Sequence, residues 1–171
     1  HGMPTPFHAA AHAILVNRAG ERFVDEFDYN VGEAMDARDK ASGAPAHLPC
    51  WMIADQQFMR GAGVFRWYAR TIPGWIRSAS SVDELSLAID VPAPKLRDTL
   101  ARYNGFVSEG QDADFHRGET AWDRYKSGAT ASNLAPALGS IERAPFIAVP
   151  VNRSILVTKG GPRTNADGQV L

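Results

Sequence analysis

Few residues in this chain are spaced for self-contained chemistry. His8 and His12 stand four apart, but the glutamate of a zinc-hydrolase HExxH motif is missing, so they read as ordinary histidines and no metal site is expected. Cys50 has no neighbouring histidine or helix start to activate it, which favours a buried thiol over a nucleophile. The run Ala37-Arg38-Asp39-Lys40-Ala41-Ser42 has the character of a solvated helix face. Thr158-Lys159-Gly160-Gly161 carries paired glycines before Pro162, which permit positive φ and a close backbone approach. Trp51, Trp67, Tyr68 and Trp75 could line an apolar cavity for a flat polycyclic ligand, with core packing as the alternative. Arg117, Glu119, Asp123 and Arg124 are expected to pin down a polar connection by ion pairs, or to meet another domain.

The elements that must position these residues are legible in outline. Ala13-Ile-Leu-Val16, a turn over Asn17-Arg-Ala-Gly20, and Glu21-Arg-Phe-Val-Asp25 predict a hairpin. Residues 31–40 predict a short helix, Gly43 to Pro49 a loop, and Cys50-Trp-Met-Ile-Ala54 a buried strand. Gly61 to Gly74 is aromatic and irregular. Ser81-Val-Asp-Glu84 is a capping box opening a helix. Pro92 and Pro94 open a second one, with Leu96, Leu100, Tyr103 and Val107 on one face and Gly110 at its end. The stretch from Gln111 to Gly139 reads as loop, anchored by Phe115, Trp122 and Tyr125. Pro145 to Thr158 is β-rich, and Thr164 to Leu171 predicts a last hairpin around Asn165-Ala-Asp-Gly168. Strands and helices do not alternate regularly, so the expected fold is α+β, with a mixed or antiparallel sheet.

Composition removes several classes. Eighteen Lys+Arg against nineteen Asp+Glu lack the basic excess of a nucleic-acid binder. No apolar run approaches the ~20 residues of a membrane span, and no secretory leader is visible. A lone cysteine fits a reducing, cytoplasmic compartment. Neither a GxxxxGK[ST] loop nor a GxGxxG is present; Gly61-Ala-Gly63 is followed by Val64-Phe-Arg66.

Four segments, in order, carry a family resemblance: Ile14-Leu-Val-Asn-Arg-Ala-Gly-Glu-Arg-Phe-Val-Asp-Glu26, then Leu48-Pro-Cys-Trp-Met-Ile-Ala-Asp55, then Asp114-Phe-His-Arg-Gly-Glu119 with Trp122-Asp-Arg-Tyr125, and finally Thr158-Lys-Gly-Gly-Pro-Arg-Thr-Asn-Ala-Asp-Gly-Gln-Val-Leu171. Together they resemble the substrate (capping) domain of the fumarate reductase/succinate dehydrogenase flavoprotein superfamily. The pattern is most similar to its 3-ketosteroid Δ1-dehydrogenase-like branch.

The resemblance implies that residues 1–171 are one capping domain taken from a longer FAD-dependent oxidoreductase, with both FAD-binding halves outside it. The missing dinucleotide loop is then expected, and the isolated stretch should bind FAD poorly and be inactive. The implied partners are the flavin domain of the same parent chain and a small apolar or enoate substrate, with no nucleic acid. In the steroid branch a capping-domain tyrosine takes a proton beside the ketone, and Tyr29 stands at about that position. A phenol ionises near pH ~10 in ordinary surroundings, so such a base needs help near neutrality. The fumarate branch instead delivers a proton from an arginine, echoed here by Arg38, to a small dicarboxylate or enoate. The loop Thr158, Lys159, Gly160, Gly161 is implied to lie against the flavin ring. A quinone or another acceptor would reoxidise the flavin. A stand-alone binding module without catalysis is the remaining alternative, and the neighbouring reading frame discriminates it.

Overall fold

The runs Ala13-Ile-Leu-Val16 and Met52-Ile-Ala54 are apolar on both alternating faces, the pattern of strands covered on both sides, and they lie fully inside the molecule. The structure, a computed structural model, describes residues 9–61, 74–153 and 161–171. In chain order these form β1 (Ala13–Asn17), α1 (Val31–Asp36), β2 (Cys50–Ala54), α2 (Gln56–Gly61), β3 (Arg77–Ala79), α3 (Val82–Ile89), α4 (Ala93–Glu109), α5 (Ala121–Ser127) and β4 (Phe146–Val151). Among the described residues the sheet has four strands in the order β1-β2-β4-β3, every pair antiparallel. The α+β expectation holds.

Alternation along each strand sends side chains to two separate cores. Ala13, Leu15, Cys50, Met52, Ala54, Ile147 and Val149 pack with Val24, Met35 of α1 and Phe58 of α2. Ile14, Val16, Ile53, Phe146 and Ala148 face the other way, onto Leu85 and Ile89 of α3 and Leu96, Leu100 and Tyr103 of α4.

The two central helices form as their local signals predict. The Ser81 hydroxyl accepts from the Glu84 amide, but the Glu84 carboxylate turns back to the amide and hydroxyl of Ser80 and not to Ser81. Pro92 caps α4, which buries Leu96, Leu100, Tyr103 and Phe106 and ends at Gly110 with φ +76°, the left-handed geometry that glycine adopts without strain. The predicted loop at 43–49 has no helix or strand, and Thr164 pairs with Val170 around the last turn.

Four expectations need correction. The predicted first hairpin has no second strand: after the turn only Val16 and Arg22 form a bridge. A side chain takes that place, because Glu26 accepts the Leu15 amide at 2.9 Å on the edge where a strand would have paired. The helix expected over 31–40 stops at Asp36. The stretch from Gln111 to Gly139 is not all loop, since Ala121–Ser127 is helical, with a Thr120–Asp123 capping box and Gly128 at its end. Trp122 and Tyr125 do not anchor it, for both are exposed. Edge strand β3, Arg-Ser-Ala, carries no apolar alternation of its own and owes its form to pairing with β4.

Candidate functional site

Among the described residues, a dense set of buried hydrogen bonds and ion pairs lies behind residues 22–30. Arg117 is fully buried and donates to Glu26 Oε2 at 2.8 Å, to the Ala13 carbonyl at 2.7 Å and to the Ala10 carbonyl at 2.6 Å. Arg22 makes a two-pronged contact with Glu26 and also meets Asp112 Oδ2 at 2.7 Å. Glu26 and Arg117 thus satisfy the Leu15 amide and the Ala13 carbonyl, backbone groups that an edge strand leaves open. Aromatic faces complete the enclosure: the Arg22 guanidinium lies 5.1 Å from the Tyr103 ring and 4.9 Å from Phe115, and Arg117 lies 4.8 Å from Phe27.

Electrostatics follow from this packing. Burial by itself would raise the Glu26 carboxyl, but the fields of Arg22 and Arg117 override it and hold the group below the ordinary carboxylate range. Burial opposes the charge on Arg22, and Glu26 and Asp112 more than compensate, so its guanidinium is held more firmly protonated. Asp25, next door, is pushed up to about 7, first by burial and then by the repulsion of Asp123 and Glu26, against a hydrogen bond from the Phe27 amide and the pull of Arg117. Of the four residues expected to pin the polar connection, Arg117 does so by an ion pair. Asp123 does so by accepting from the amides of Gly118 and Thr120. Glu119 faces His116 and Gln111, and Arg124 donates to the Glu119 carbonyl.

Tyr29 emerges from this braced region onto the surface. The Asp25 carboxylate accepts from the Phe27 amide and its carbonyl from the Asp28 amide, and Asp28 in turn accepts from the Asn30 amide at 2.8 Å. This Asx-type turn leads into α1. It leaves Tyr29 76 % exposed. The ring meets Trp122 edge to face, with centroids 5.3 Å apart at 82°. In the sequence Trp122 stands as a loop anchor and in a family motif; the local signal that places it at a helix start is the Thr120-Ala-Trp-Asp123 box.

The other candidates stand apart from this pair. Arg38 is exposed and donates to the Gly43 carbonyl at 3.3 Å, closing its own loop. Gly161 is exposed, and no atom lies within 4 Å of where a Cβ would sit. Thr158, Lys159 and Gly160 lie outside the described residues, as do His8, Trp67 and Tyr68. Among the described residues no hydrogen bond or ring contact joins Tyr29 to Arg38 or Gly161. Trp51 and Trp75 pack against opposite cores, so these two do not line one cavity. Cys50 is buried and its thiol is pushed up to about 12 by that burial, as expected of an inert cysteine. His12 Nδ1 pairs with the Ser140 carbonyl, and no cluster of metal-ligating side chains exists among the described residues. No helix among them is long and apolar enough to cross a membrane. A cleft of about 230 Å³ lies along α4 beside Glu21, Lys95 and Arg102. It is smaller than the ~300 Å³ at which ligand pockets begin, and its charges are paired with one another or with Asp114.

Tyr29 and Gly161 both lie at the surface, outside the strands of the sheet. The chain belongs to the FAD binding domain family, which it matches over residues 9–171. It is 34% identical to a 4-oxocyclohexanecarboxylate 2-dehydrogenase from Sinomonas cyclohexanicum, over 93% of this chain and 28% of that protein. It is 35% identical to a 3-oxosteroid 1-dehydrogenase from Mycolicibacterium smegmatis, over 93% and 30%. The chain therefore spans about three tenths of the length of these two relatives. Its fold is similar to that of 3-ketosteroid delta1-dehydrogenase from Sterolibacterium denitrificans, with TM-score 0.74, 27% identity, and coverage of 94% of this chain and 30% of that one. The solution structure of a fumarate reductase flavoprotein subunit from Lactobacillus plantarum shares the fold at TM-score 0.57 and 17% identity, covering 84% of both chains. The steroid-dehydrogenase and fumarate-reductase resemblance seen in the sequence is thereby established.

FAD is the family's cofactor. Of the four loop residues expected at the flavin only Gly161 is described, and no atom crowds the place a Cβ would take. No phosphate-cradling glycine loop occurs within the 171 residues.

Proposed function

We propose that residues 1–171 form the substrate-facing capping domain of an FAD-dependent oxidoreductase that dehydrogenates a cyclic, ketosteroid-like ketone beside its carbonyl. The observation that carries this reading is Tyr29, a phenol presented to the outside on a turn that buried charge holds rigid from behind. The names of the two dehydrogenases above share an oxo group and a dehydrogenation, which supports a ring ketone as substrate. In this reading the Tyr29 oxygen, ionised to the phenolate, takes a proton from the carbon next to the carbonyl and becomes the neutral phenol. The electrons of that bond form the new double bond as a hydride leaves the neighbouring carbon. FAD, when bound, would supply the hydride acceptor; Thr158, Lys159, Gly160 and Gly161 are the residues of this chain that would hold its ring, and the flavin domain of the same parent chain would hold its phosphates. A quinone or a similar acceptor then takes up the electrons. A cytoplasmic placement is the reading that the lone Cys50 supports.

A second reading has its own support in relatives such as the probable fumarate reductase of Shewanella frigidimarina, 28% identical. There Arg38 would donate a proton to a small enoate, and its exposure leaves it reachable from outside.

The test uses the full-length flavoprotein with a dye acceptor. Turnover of 3-ketosteroids or 4-oxocyclohexanecarboxylate should fall at least ~100-fold in Tyr29→Phe, in line with general-base contributions, while the flavin spectrum is unchanged. Fumarate reduction by the wild type that is lost in Arg38→Ala and kept in Tyr29→Phe overturns the ketone reading in favour of the second.

A further inference from the structure

We propose that Trp122 is a positioning residue for Tyr29, and that the two form one unit although 93 positions separate them in the sequence. The inference rests on the reading of Tyr29 as the proton acceptor.

The backbone around Tyr29 is tied at Phe27, Asp28, Asn30 and Val31 by hydrogen bonds of 2.8–3.3 Å. Its side chain is the opposite case. At 76 % exposure a tyrosine is free to change rotamer, and a base must be within hydrogen-bond reach of the proton it removes. Trp122 supplies the missing restraint, edge to face at 5.3 Å and 82°, the geometry favoured by ring quadrupoles.

Trp122 is itself held firmly. It is the second residue of α5, between Ala121 and Asp123, and the Thr120–Asp123 capping box closes on either side of it. Asp123 is 1 % exposed and also accepts from the Gly118 amide. One residue before Gly118 stands Arg117, whose ion pair with Glu26 reaches the segment that carries Tyr29. A single buried ion pair therefore ties both the tyrosine turn and the tryptophan helix to β1. The indole is covered on more than one side, with Tyr125 at 6.0 Å and the Lys126 ammonium at 4.9 Å from its ring. At 37 % exposure against 76 % and 79 % for the two tyrosines, Trp122 is the least exposed of the three rings and the one wedged between its neighbours. A wedge of this kind fixes where the phenol oxygen points without adding any contact to the substrate.

The test is a cycle in the full-length holoenzyme: Tyr29→Phe, Trp122→Leu, Trp122→Phe, and Tyr29→Phe with Trp122→Leu. Trp122→Leu keeps apolar bulk and removes the ring. It should lower kcat about 10–100-fold, the scale of a small misplacement of a reacting group, with KM changed by less than about threefold. Trp122→Phe should restore kcat to within about threefold, and Trp122→Leu should cost nothing further when Tyr29 is already Phe. A readout independent of turnover is the ¹⁹F spectrum of protein labelled with 3-fluorotyrosine. The Tyr29 line, assigned by its loss in Tyr29→Phe, should sit displaced by the indole ring current and move to the free-tyrosine position in Trp122→Leu. An equal cost of Trp122→Leu in both backgrounds, a loss confined to KM, or an unmoved ¹⁹F line overturns the inference while leaving Tyr29 as base. Full turnover in Tyr29→Phe alone overturns the base assignment, and this inference with it.

Discussion

Asp25 is the residue whose charge state is set most visibly by its surroundings. Its carboxyl is lifted from 3.8 to about 7, so the folded state holds its proton more tightly than the unfolded chain. A raised group of this kind contributes stability that is complete below pH ~4 and is lost as the pH climbs through 7. Asp25→Asn keeps the oxygen that accepts the Phe27 amide and removes the titration. Melting temperatures recorded from pH 5 to pH 8 should fall less steeply in the variant than in the wild type, and parallel profiles contradict the assignment. Arg117 presents the complementary case of a charge that cannot be left alone. Arg117→Met strands the Ala10 and Ala13 carbonyls and removes one of the two cations on Glu26. Breaking a buried pair from one side costs about 3–5 kcal/mol; urea unfolding should show a loss of that order, and a loss under ~1 kcal/mol removes the bracing role given to this ion pair.

At the scale of elements, the turn after β1 shows how a short connection can tie two layers. Asn17 accepts from the amides of Ala19 and Glu21, and the Gly20 carbonyl takes the Thr99 hydroxyl of α4 at 2.6 Å. Gly20 has φ +79°, and a Cβ there would meet Val91 at 3.1 Å and the Leu96 amide nitrogen at 3.2 Å. Gly20→Ala therefore incurs both left-handed backbone strain, about 1–2 kcal/mol, and a close approach to the start of α4. Thermal or urea denaturation should register a loss at or above that range. A neutral result would mean that the turn relaxes independently of the helix beneath it. The first hairpin fails for a reason of the same scale. Alternation in Glu21-Arg-Phe-Val-Asp25 favours a strand, but the Glu26 carboxylate occupies the edge of β1 and turns the chain away.

For the whole molecule, the two-faced sheet core lies within the described residues. Residues 1–171 expressed alone should accordingly fold cooperatively, with dispersed amide resonances, yet retain little FAD by absorbance after gel filtration, because the phosphate-binding loop is not among them. Stoichiometric flavin on the isolated chain contradicts the capping-domain proposal; a collapsed spectrum without dispersion contradicts its independence.

Much of this was readable in one dimension. The central strands, the two capped central helices, the α+β class and the inert cysteine all follow from local chemistry: apolar runs, a Ser-x-x-Glu box and prolines at a helix start. Each of these signals is carried by residues within a few positions of one another. What stayed hidden depends on partners far apart in the chain. Arg117 becomes a structural cation only because folding brings it to Glu26 across 91 positions. Three residues at Arg77 become a strand only where β4 runs beside them. Trp122, which resembles an anchor in the sequence, stands at the surface against Tyr29 because the capping box of α5 is what goes inside. Such contacts are set by the closing of long loops, and no local pattern of residue types encodes which side chain will be waiting at the other end.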